Sequence, residues 1–489
     1  MKISFYILLL FLFFIAGCRI KKNNDPLSKE LTEEIAKKDL KVFTDILKKG
    51  HPSLNLYISE KRLDFLIDSL DKSISSTVSL QDFYNKLVVV INEIGCSHTD
   101  IDMPEYVYDT LNNRKYFFPY PVIFIENKLM VNATGLGLAE GTEIKKINGE
   151  PVKNILDHLM RYNPVEGRHR KTQLQLAANQ FGLEYYLCYG KKDNFRLDII
   201  DTAGVKDIVN EEPITLTVLG DRKINAQYYF DATDVDYDFY ISEEKKYAYL
   251  RFSTFSFDRR QQQEAFENFC SNTFNLIKYK RPPALVIDLR QNTGGKLYSA
   301  FLLYSYLAKG AFREYEKVYA KMKRVPYSEY FGDDFFVSDE TYINDDLSDK
   351  FKQRTRENYY SIPDSLIRSW TPNDQHYDGK VYVIVNCKTS SSASYLATMI
   401  KNSGVGKVIG ETACGGSYSG NGYSSLSYKL PGSNIRLFFS YAHLIYSFKD
   451  EKNTGSGLMP DYFVPDTYES FKNNSDKQMG FLIDSLILK

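Results

Sequence analysis

Apolar positions in the first hundred residues follow the 3.6-residue repeat of an amphipathic helix. The pattern is clearest over residues 83–94, where apolar side chains recur three and four positions apart. Ser79 predicts a capped start for this helix, and Gly95 predicts its end. We therefore expect a helical N-terminal domain over residues 29–110, in which His98 follows directly on a helix end.

The pattern changes to short strands from about residue 115. Two apolar runs, 122–125 and 129–131, are separated by three polar residues, which predicts a β-hairpin. The segment 139–152, AEGTEIKKINGEPV, resembles the PDZ domain of periplasmic proteases. We expect a PDZ-like domain with a strand-rich extension over residues 115–235. Such a domain binds extended peptides by adding a strand to its edge, or it only shapes a neighbouring cleft.

Residues 236–489 alternate between buried strands and helices, which predicts an α/β core. Within this part, residues 313–375 are polar and rich in tyrosine, and we expect an irregular insertion or lid there. The predicted fold class of the whole chain is α/β (mixed α+β). Strands are predicted at 247–250, 284–287 and 381–385, and helices at 258–279, from 296 to about 307 and from about 392.

The N-terminus carries an export signal. An apolar run, Ile3–Phe14, follows Lys2 and is too short to cross a bilayer, but it has the length of a signal-peptide core. The next residues, Ile-Ala-Gly-Cys18, resemble the bacterial lipobox, which implies cleavage after residue 17 and a diacylglyceryl group on the Cys18 thiol. The alternative is an ordinary signal peptide with a chance cysteine. We expect a tether over 18–28 and a lipid-anchored protein of the cell envelope, on the inner or outer membrane, facing the periplasm or the exterior.

Charge and cysteine content exclude some partners. Among 489 residues, Lys+Arg and Asp+Glu are both 62, so there is no basic excess that would indicate a nucleic-acid partner. Five cysteines besides Cys18 are scattered without C-x-x-C or zinc spacing, and most are expected to be buried thiols. One disulfide is compatible with an oxidising compartment. No metal or other cofactor is expected.

Three short segments carry residues suited to chemistry. Asp288–Gly295 ends a predicted strand with two glycines, whose turn can expose backbone N–H groups to an anion. Thr389–Ser394 places serines at a predicted helix N-terminus, which favours a developing oxyanion. His98 can take the proton that a serine must lose to become a nucleophile. Each segment alone has an ordinary structural explanation; their joint occurrence in this order indicates catalysis.

In that order the segments resemble peptidase family S41, the family of C-terminal processing proteases and tricorn protease. The family pattern D-L-R-x-N-x-G-G is matched by Asp288–Gly295, and S-A-S-(E/D) by Ser392–Ser394, with Tyr395 where an acid is usual. Of two later family patterns, one is approximated at 408–412 and the other is matched at 457–461. The resemblance implies an S41-type catalytic core over 236–489, with Ser392 as the nucleophile.

The resemblance also implies which base activates the serine. The processing-protease branch uses a lysine 25 residues after the nucleophile, where this chain has Ser417. The tricorn-like branch uses a histidine in G-x-(S/G)-H, which is matched at 95–98; this implies His98 as the base and Ser97 as a residue that orients it. The family places a glutamate late in the chain as the third group. Glu451 is our preferred match, with Asp450 as the alternative.

These residues predict hydrolysis of peptide bonds in exported proteins or peptides through an acyl-enzyme on Ser392. The backbone N–H groups of Ala393 and of Gly294 or Gly295 are expected to hold the oxyanion. One alternative is a catalytically inactive S41-like protein that binds peptides or apolar ligands, since the lysine and the usual acid are missing. Another is a PDZ-centred scaffold. The sequence leaves the natural substrate and the oligomeric state open.

Overall fold

The computed structural model describes residues 25–224, 226, 235–244, 246–332, 339–355, 357–448 and 457–488. The predicted signal peptide, Cys18 and most of the tether lie outside these residues, as do Asp450 and Glu451. Within the described ranges, no helix combines the length and the apolar character that a membrane crossing requires.

The N-terminal unit is mainly helical, and the helix before His98 has the predicted bounds. The Ser79 side chain accepts a hydrogen bond from the Asp82 N–H at 3.0 Å, and Gly95 ends the helix with a φ of 68°. The elements are a 3₁₀ turn Pro26–Ser28, β1 Glu30–Leu31, α1 Glu33–Gly50, α2 Glu60–Ser73, β2 Val78–Ser79, α3 Leu80–Ile94, β3 Thr99–Asp102 and α4 Glu105–Leu111.

The next unit is built on an antiparallel sheet with its own hydrophobic core. The predicted hairpin is confirmed, with Val122 opposite Val131. The turn at Asn148-Gly149 has positive φ at both residues, as a tight hairpin turn requires. The elements are β4 Val122–Ile125, β5 Lys128–Val131, β6 Glu143–Ile147, β7 Glu150–Pro151, α5 Val152–Leu159, α6 Arg170–Asn179, α7 Phe181–Tyr189, β8 Phe195–Ile200, β9 Lys206–Glu211 and α8 Leu216–Ile224.

The expectation that residues 165–235 are strand-rich is wrong, because this stretch contains α6, α7 and α8 as well as two strands. The sequence of α7, FGLEYYLCY, is buried on most sides. A helix that is buried all round has no polar face, so its sequence lacks the amphipathic period that distinguishes a helix from a strand.

The C-terminal unit contains a six-stranded sheet in the order β10-β11-β12-β18-β19-β24, parallel except for the first pair. Its elements are β10 Tyr237–Ser242, β11 Tyr247–Phe252, α9 Arg260–Lys280, β12 Ala284–Asp288, α10 Leu297–Ser305, β13 Phe312–Arg313, β14 Tyr315–Ala320, α11 Glu340–Lys350, β15 Gln353–Arg354, β16 Tyr360–Ser361, β17 Ser369–Trp370, β18 Lys380–Val385, α12 Ser391–Asn402, β19 Gly406–Gly410, β20 Ser419–Gly420, β21 Ser425–Lys429, β22 Arg436–Ser440, β23 Ala442–Tyr446, β24 Tyr462–Phe463, α13 Tyr468–Lys472 and α14 Lys477–Leu482.

Both faces of this sheet are covered, which explains the unbroken apolar runs of its strands. On β12, Leu285 and Ile287 join the core that contains α9, α10 and α12. The alternate residue Val286 joins a second core with Leu482 of α14. The fold is therefore mixed α and β with an α/β core.

The expectation that residues 313–375 are irregular is wrong. The segment contains α11 and five short strands, and β14 lies inside a five-stranded sheet between β16 and β23. The partner strand β23 is more than a hundred residues away, so this pairing leaves no local pattern in the sequence.

Two features of the topology assemble the candidate site. Because β12 and β18 are parallel neighbours, the loops at their carboxyl ends meet at one edge of the sheet. The helical unit reaches the same region because β3 pairs with β22, with Thr99 opposite Phe439. The residue that follows His98 is thereby part of a sheet that the C-terminal unit provides.

Candidate active site

The His98 ring faces Ser391. The distance from His98 Nε2 to Ser391 Oγ is 3.2 Å. Ser391 is the first residue of α12 and has a φ of 50°, in the left-handed region that residues other than glycine seldom adopt. Strained backbone of this kind commonly holds a functional side chain in place. The turn from β18 into α12 therefore presents the Ser391 hydroxyl to the imidazole.

The expected partner of His98, Ser392, lies elsewhere, and this is a correction. Ser392 is fully buried, and within the described part of the chain its Oγ has no hydrogen-bond partner. One step along a helix turns a side chain by about 100°. The hydroxyl of Ser392 therefore points into the protein while that of Ser391 faces the histidine.

Ser97 and Glu166 hold the other side of the His98 ring. The Ser97 hydroxyl donates a hydrogen bond to Glu166 Oε1 at 2.9 Å and lies 3.2 Å from His98 Nδ1. Since its single proton goes to the carboxylate, the serine oxygen must accept from Nδ1–H. Nε2 then carries the lone pair that faces Ser391. Glu166 Oε1 itself is 3.7 Å from Nδ1, close enough to stabilise a positive charge on the ring.

Glu166 is a site residue that the sequence reasoning missed. Its side chain is 3% exposed, and it also accepts a hydrogen bond from the Tyr57 hydroxyl at 3.3 Å. Its own N–H donates to the Cys414 carbonyl, and the following N–H, of Gly167, donates to the Gly95 carbonyl. These bonds tie the Glu166 loop to the end of α3 and to the C-terminal unit. Nothing in the local sequence marks this residue; only the fold brings it to His98.

The expected oxyanion donors are partly corrected. The Ala393 N–H donates to the Ser390 carbonyl at 3.1 Å, and the Gly294 N–H donates to Asn292 Oδ1 at 2.8 Å, so neither is available. Among the described residues, neither the Gly295 N–H nor the Ser392 N–H donates a hydrogen bond to a backbone carbonyl in the turns and loops around the site. A Cβ on Gly294 would lie 3.1 Å from the Ser392 nitrogen, which places the glycine turn beside that amide. Gly295 and Ser392 are therefore the candidate donors.

Asp288 and Arg290, the charged residues of the glycine-turn motif, form a buried ion pair. Arg290 is 8% exposed and lies 2.6 Å from a carboxylate oxygen of Asp288 and 2.6 Å from one of Asp476. Asp288 and Arg290 therefore have a structural role: they anchor the loop that carries the glycines.

The arrangement can perform nucleophilic catalysis. A serine hydroxyl at a helix N-terminus, a histidine within hydrogen-bond reach and a carboxylate behind the histidine together form the nucleophile, base and orienting group of serine hydrolases.

Comparison with known proteins agrees with this class. Residues 246–464 match the model of peptidase family S41, so this core resembles that family. No curated protein matches the chain by sequence.

Solved structures of CPAF are similar in fold. Mature CPAF has a TM-score of 0.62 at 14% identity, over 93% of this chain and 99% of that one. Mature CPAF complexed with lactacystin gives 0.62 at 14%, over 93% and 97%. A serine-to-alanine mutant of CPAF gives 0.61 at 12%, over 93% and 96%. At these identities the likeness concerns the fold.

Proposed function

We propose that this protein is a serine endopeptidase in which Ser391 is the nucleophile and His98 the general base. The observation that carries the proposal is the 3.2 Å distance between His98 Nε2 and Ser391 Oγ. The resemblance of the core to peptidase family S41 supports peptide bonds as the substrate class.

The proposed reaction is acyl transfer. His98 takes the proton of the Ser391 hydroxyl as its oxygen attacks the peptide carbonyl. The N–H groups of Ser392 and Gly295 stabilise the oxyanion, and each such donor contributes about a hundred- to thousandfold in rate. The C–N bond then breaks, and His98 gives its proton to the leaving amine. Water, deprotonated by His98, attacks the acyl-enzyme and releases the acid product and the free serine.

Glu166 and Ser97 keep His98 in its working form. The bond from Nδ1–H to Ser97 fixes the tautomer in which Nε2 can accept a proton. When that proton arrives, the ring becomes positive, and the buried Glu166 carboxylate compensates the charge. Glu166 takes the place that the sequence pattern gave to Glu451, which lies outside the described residues.

The PDZ-like unit, residues 115–235, is proposed to bind extended peptides. In the described part of its sheet, β4 pairs with β5 alone, so its other edge is open to strand addition. A cavity of about 820 Å³ lies between β4, α6 and the C-terminal unit at Asn386–Lys388. A peptide in this cavity would contact both units.

The proposed location rests on the first 18 residues. A lipid on Cys18 would hold the enzyme at a membrane of the cell envelope, where exported proteins or peptides are its substrates. A Cys18→Ala variant should move from the membrane fraction to the soluble fraction. Unchanged anchoring would contradict the lipobox interpretation.

The test of the function is cleavage of unfolded casein and of a mixture of quenched fluorescent peptides. The wild type should cleave, and Ser391→Ala should lose activity by at least about a thousandfold. The alternative, an inactive protein that binds peptides or apolar ligands, predicts binding without cleavage in the wild type. Failure to cleave any peptide under conditions where the protein binds them would favour that alternative.

A further inference from the structure

An acidic cavity of about 680 Å³ lies beside the strand that follows His98. Helices α3 and α7 form one wall, and β3 with β22 forms the other. Three carboxylates line it: Asp100, Asp102 and Glu184. Four aromatic side chains also line it, namely Tyr84, Tyr108, Tyr162 and Phe438.

Glu184 has a carboxylate oxygen without a partner. The side chain is 6% exposed, and its Oε1 accepts a hydrogen bond from Asn163 Nδ2 at 2.8 Å. Oε2 is buried and has no hydrogen-bond partner among the described residues. A buried carboxylate is costly unless it is paired or protonated, and burial raises the pKa of Glu184 well above its usual value. A cationic group that binds beside Oε2 would give this oxygen a partner.

The other acidic groups around the cavity differ in their partners. Asp102 is paired with Arg436 at 2.6 Å. Asp100 lines the cavity and is exposed to solvent, and its Oδ1 accepts a hydrogen bond from the Ile101 N–H at 2.8 Å. Lys223 is near the rim, 3.4 Å from Gln180 Oε1, and lowers the pKa of Glu184 less than burial raises it. Two carboxyl groups, Asp100 and Glu184, thus share the cavity, and a guanidinium or ammonium group bound beside them would favour their ionised forms.

Two chain segments connect the cavity to the catalytic groups. Asp100 is two residues after His98, and Asn163, the donor to Glu184, is three residues before Glu166. Since an extended chain advances at most about 3.6 Å per residue, each connection spans no more than about 11 Å. The cavity is therefore lined by a residue, Asp100, whose Cα lies within about 7 Å of the Cα of His98, the residue that faces Ser391.

We propose that this cavity is a substrate subsite for a basic side chain, lysine or arginine, close to the scissile bond. The inference rests on the proposed peptidase function and specifies its substrate class. Carboxylates recognise guanidinium groups by charge-assisted hydrogen bonds, and the faces of tyrosine rings attract cations. A metal ion fits the cavity less well, because the described residues include no group of three His, Cys, Asp or Glu side chains placed to hold one.

The test compares peptides that carry arginine with otherwise identical peptides that carry citrulline, its neutral isostere, at each position around the cleavage site. For wild-type enzyme, we expect arginine to raise kcat/KM by tenfold or more at one position. Glu184→Gln and Asp100→Asn should each lower this ratio towards one. Glu264→Gln, which changes an exposed carboxylate on α9, should retain the wild-type ratio. Thermal unfolding of each variant verifies that it is folded.

A second measurement separates this proposal from the peptidase function. Binding of the same peptide pairs to Ser391→Ala protein, followed by fluorescence anisotropy, needs no cleavage. Tighter binding of the arginine peptide that disappears in the Ser391→Ala, Glu184→Gln double variant would support the subsite. Equal binding of both peptides, or an arginine preference that survives Glu184→Gln, would overturn it. If the wild type cleaves neither peptide but still binds the arginine peptide more tightly than the citrulline peptide, only the peptidase function is refuted.

Discussion

His98 Nε2 and Ser391 Oγ are 3.2 Å apart, although 293 positions separate the two residues in the chain. Antiparallel pairing of β3 with β22 fixes the segment after His98. The segment before it is fixed by two hydrogen bonds: the Ser97 hydroxyl donates to Glu166 Oε1, and the Gly167 N–H donates to the Gly95 carbonyl. The N-terminal helical unit is thus part of the candidate site, because it supplies the imidazole that faces Ser391.

The role of Glu166 is tested by Glu166→Gln. We expect kcat to fall by about 10- to 100-fold with little change in KM, since the side chain orients His98 and does not contact substrate. This is the range expected when a hydrogen bond to a charged group is lost. Steady-state kinetics on one fluorescent peptide measure both parameters.

Ser97→Ala and Glu150→Gln complete that test. Ser97→Ala breaks the link between Glu166 and the ring, so it should also lower kcat rather than raise KM. Glu150 pairs with Tyr189 in the PDZ-like unit, and Glu150→Gln should leave kcat unchanged. A Glu166→Gln enzyme with wild-type kcat would show that the carboxylate is only structural.

Gly422 keeps the space in front of the catalytic pair open. A Cβ at this position would be 3.2 Å from His98 Nε2 and 3.5 Å from Ser391 Oγ. We expect Gly422→Ala to reduce kcat/KM by tenfold or more, because displacements well below 1 Å already disturb reacting groups. In contrast, a Cβ on Gly480, in α14, has no neighbour within 4 Å, so Gly480→Ala should preserve activity. Equal activities of the two variants would contradict this account of the site.

Two buried histidines, His51 and His443, each contribute to the stability of the fold, and we expect this contribution to be lost in acid. Burial, with smaller effects of nearby charges, lowers the pKa of His51 to about 3, and burial lowers that of His443 to about 4. Unfolded histidine titrates near 6.5. Between pH 6.5 and about 4 these two histidines bind more protons in the unfolded chain than in the folded one, so their contribution to stability falls as the pH falls. Each histidine contributes up to about 1.4 kcal/mol per pH unit.

Urea unfolding at pH 7.5, 6 and 5 measures this loss. Relative to the wild type, His443→Asn should gain stability as the pH falls from 7.5 to 5, because one proton that the unfolded chain takes up is removed. His376→Gln, a change at a partly exposed histidine beside Asp378, should leave the slope as in the wild type. If His443→Asn and the wild type lose stability equally between pH 7.5 and 5, the linkage is wrong.

The sequence was informative where local physics decides the structure. The cap at Ser79 and the stop at Gly95 correctly place His98 just after α3. The glycine turn after β12 and the helix after β18 follow from buried strands with known connections. Three consecutive serines at 390–392 could not be distinguished in this way. The family pattern favoured Ser392 by its letters, whereas the backbone turn at Ser391 decides which hydroxyl faces the cleft.

Glu166 and β14 could not be predicted for a different reason. Each depends on contacts between segments far apart in the chain: Glu166 with Ser97, and β14 with β23. Hydrophobic periodicity reports only on neighbours within a few turns. The long-range partners become visible only when the units are folded together.

The most direct test of the account is the position at which a fluorophosphonate reacts with the protein. Tandem mass spectrometry of the peptide that contains both serines locates the adduct. We expect phosphonylation of Ser391 in the wild type and in Ser392→Ala, and none in Ser391→Ala or His98→Ala. An adduct on Ser392, or labelling that persists in Ser391→Ala, would contradict the assignment of Ser391 as the nucleophile.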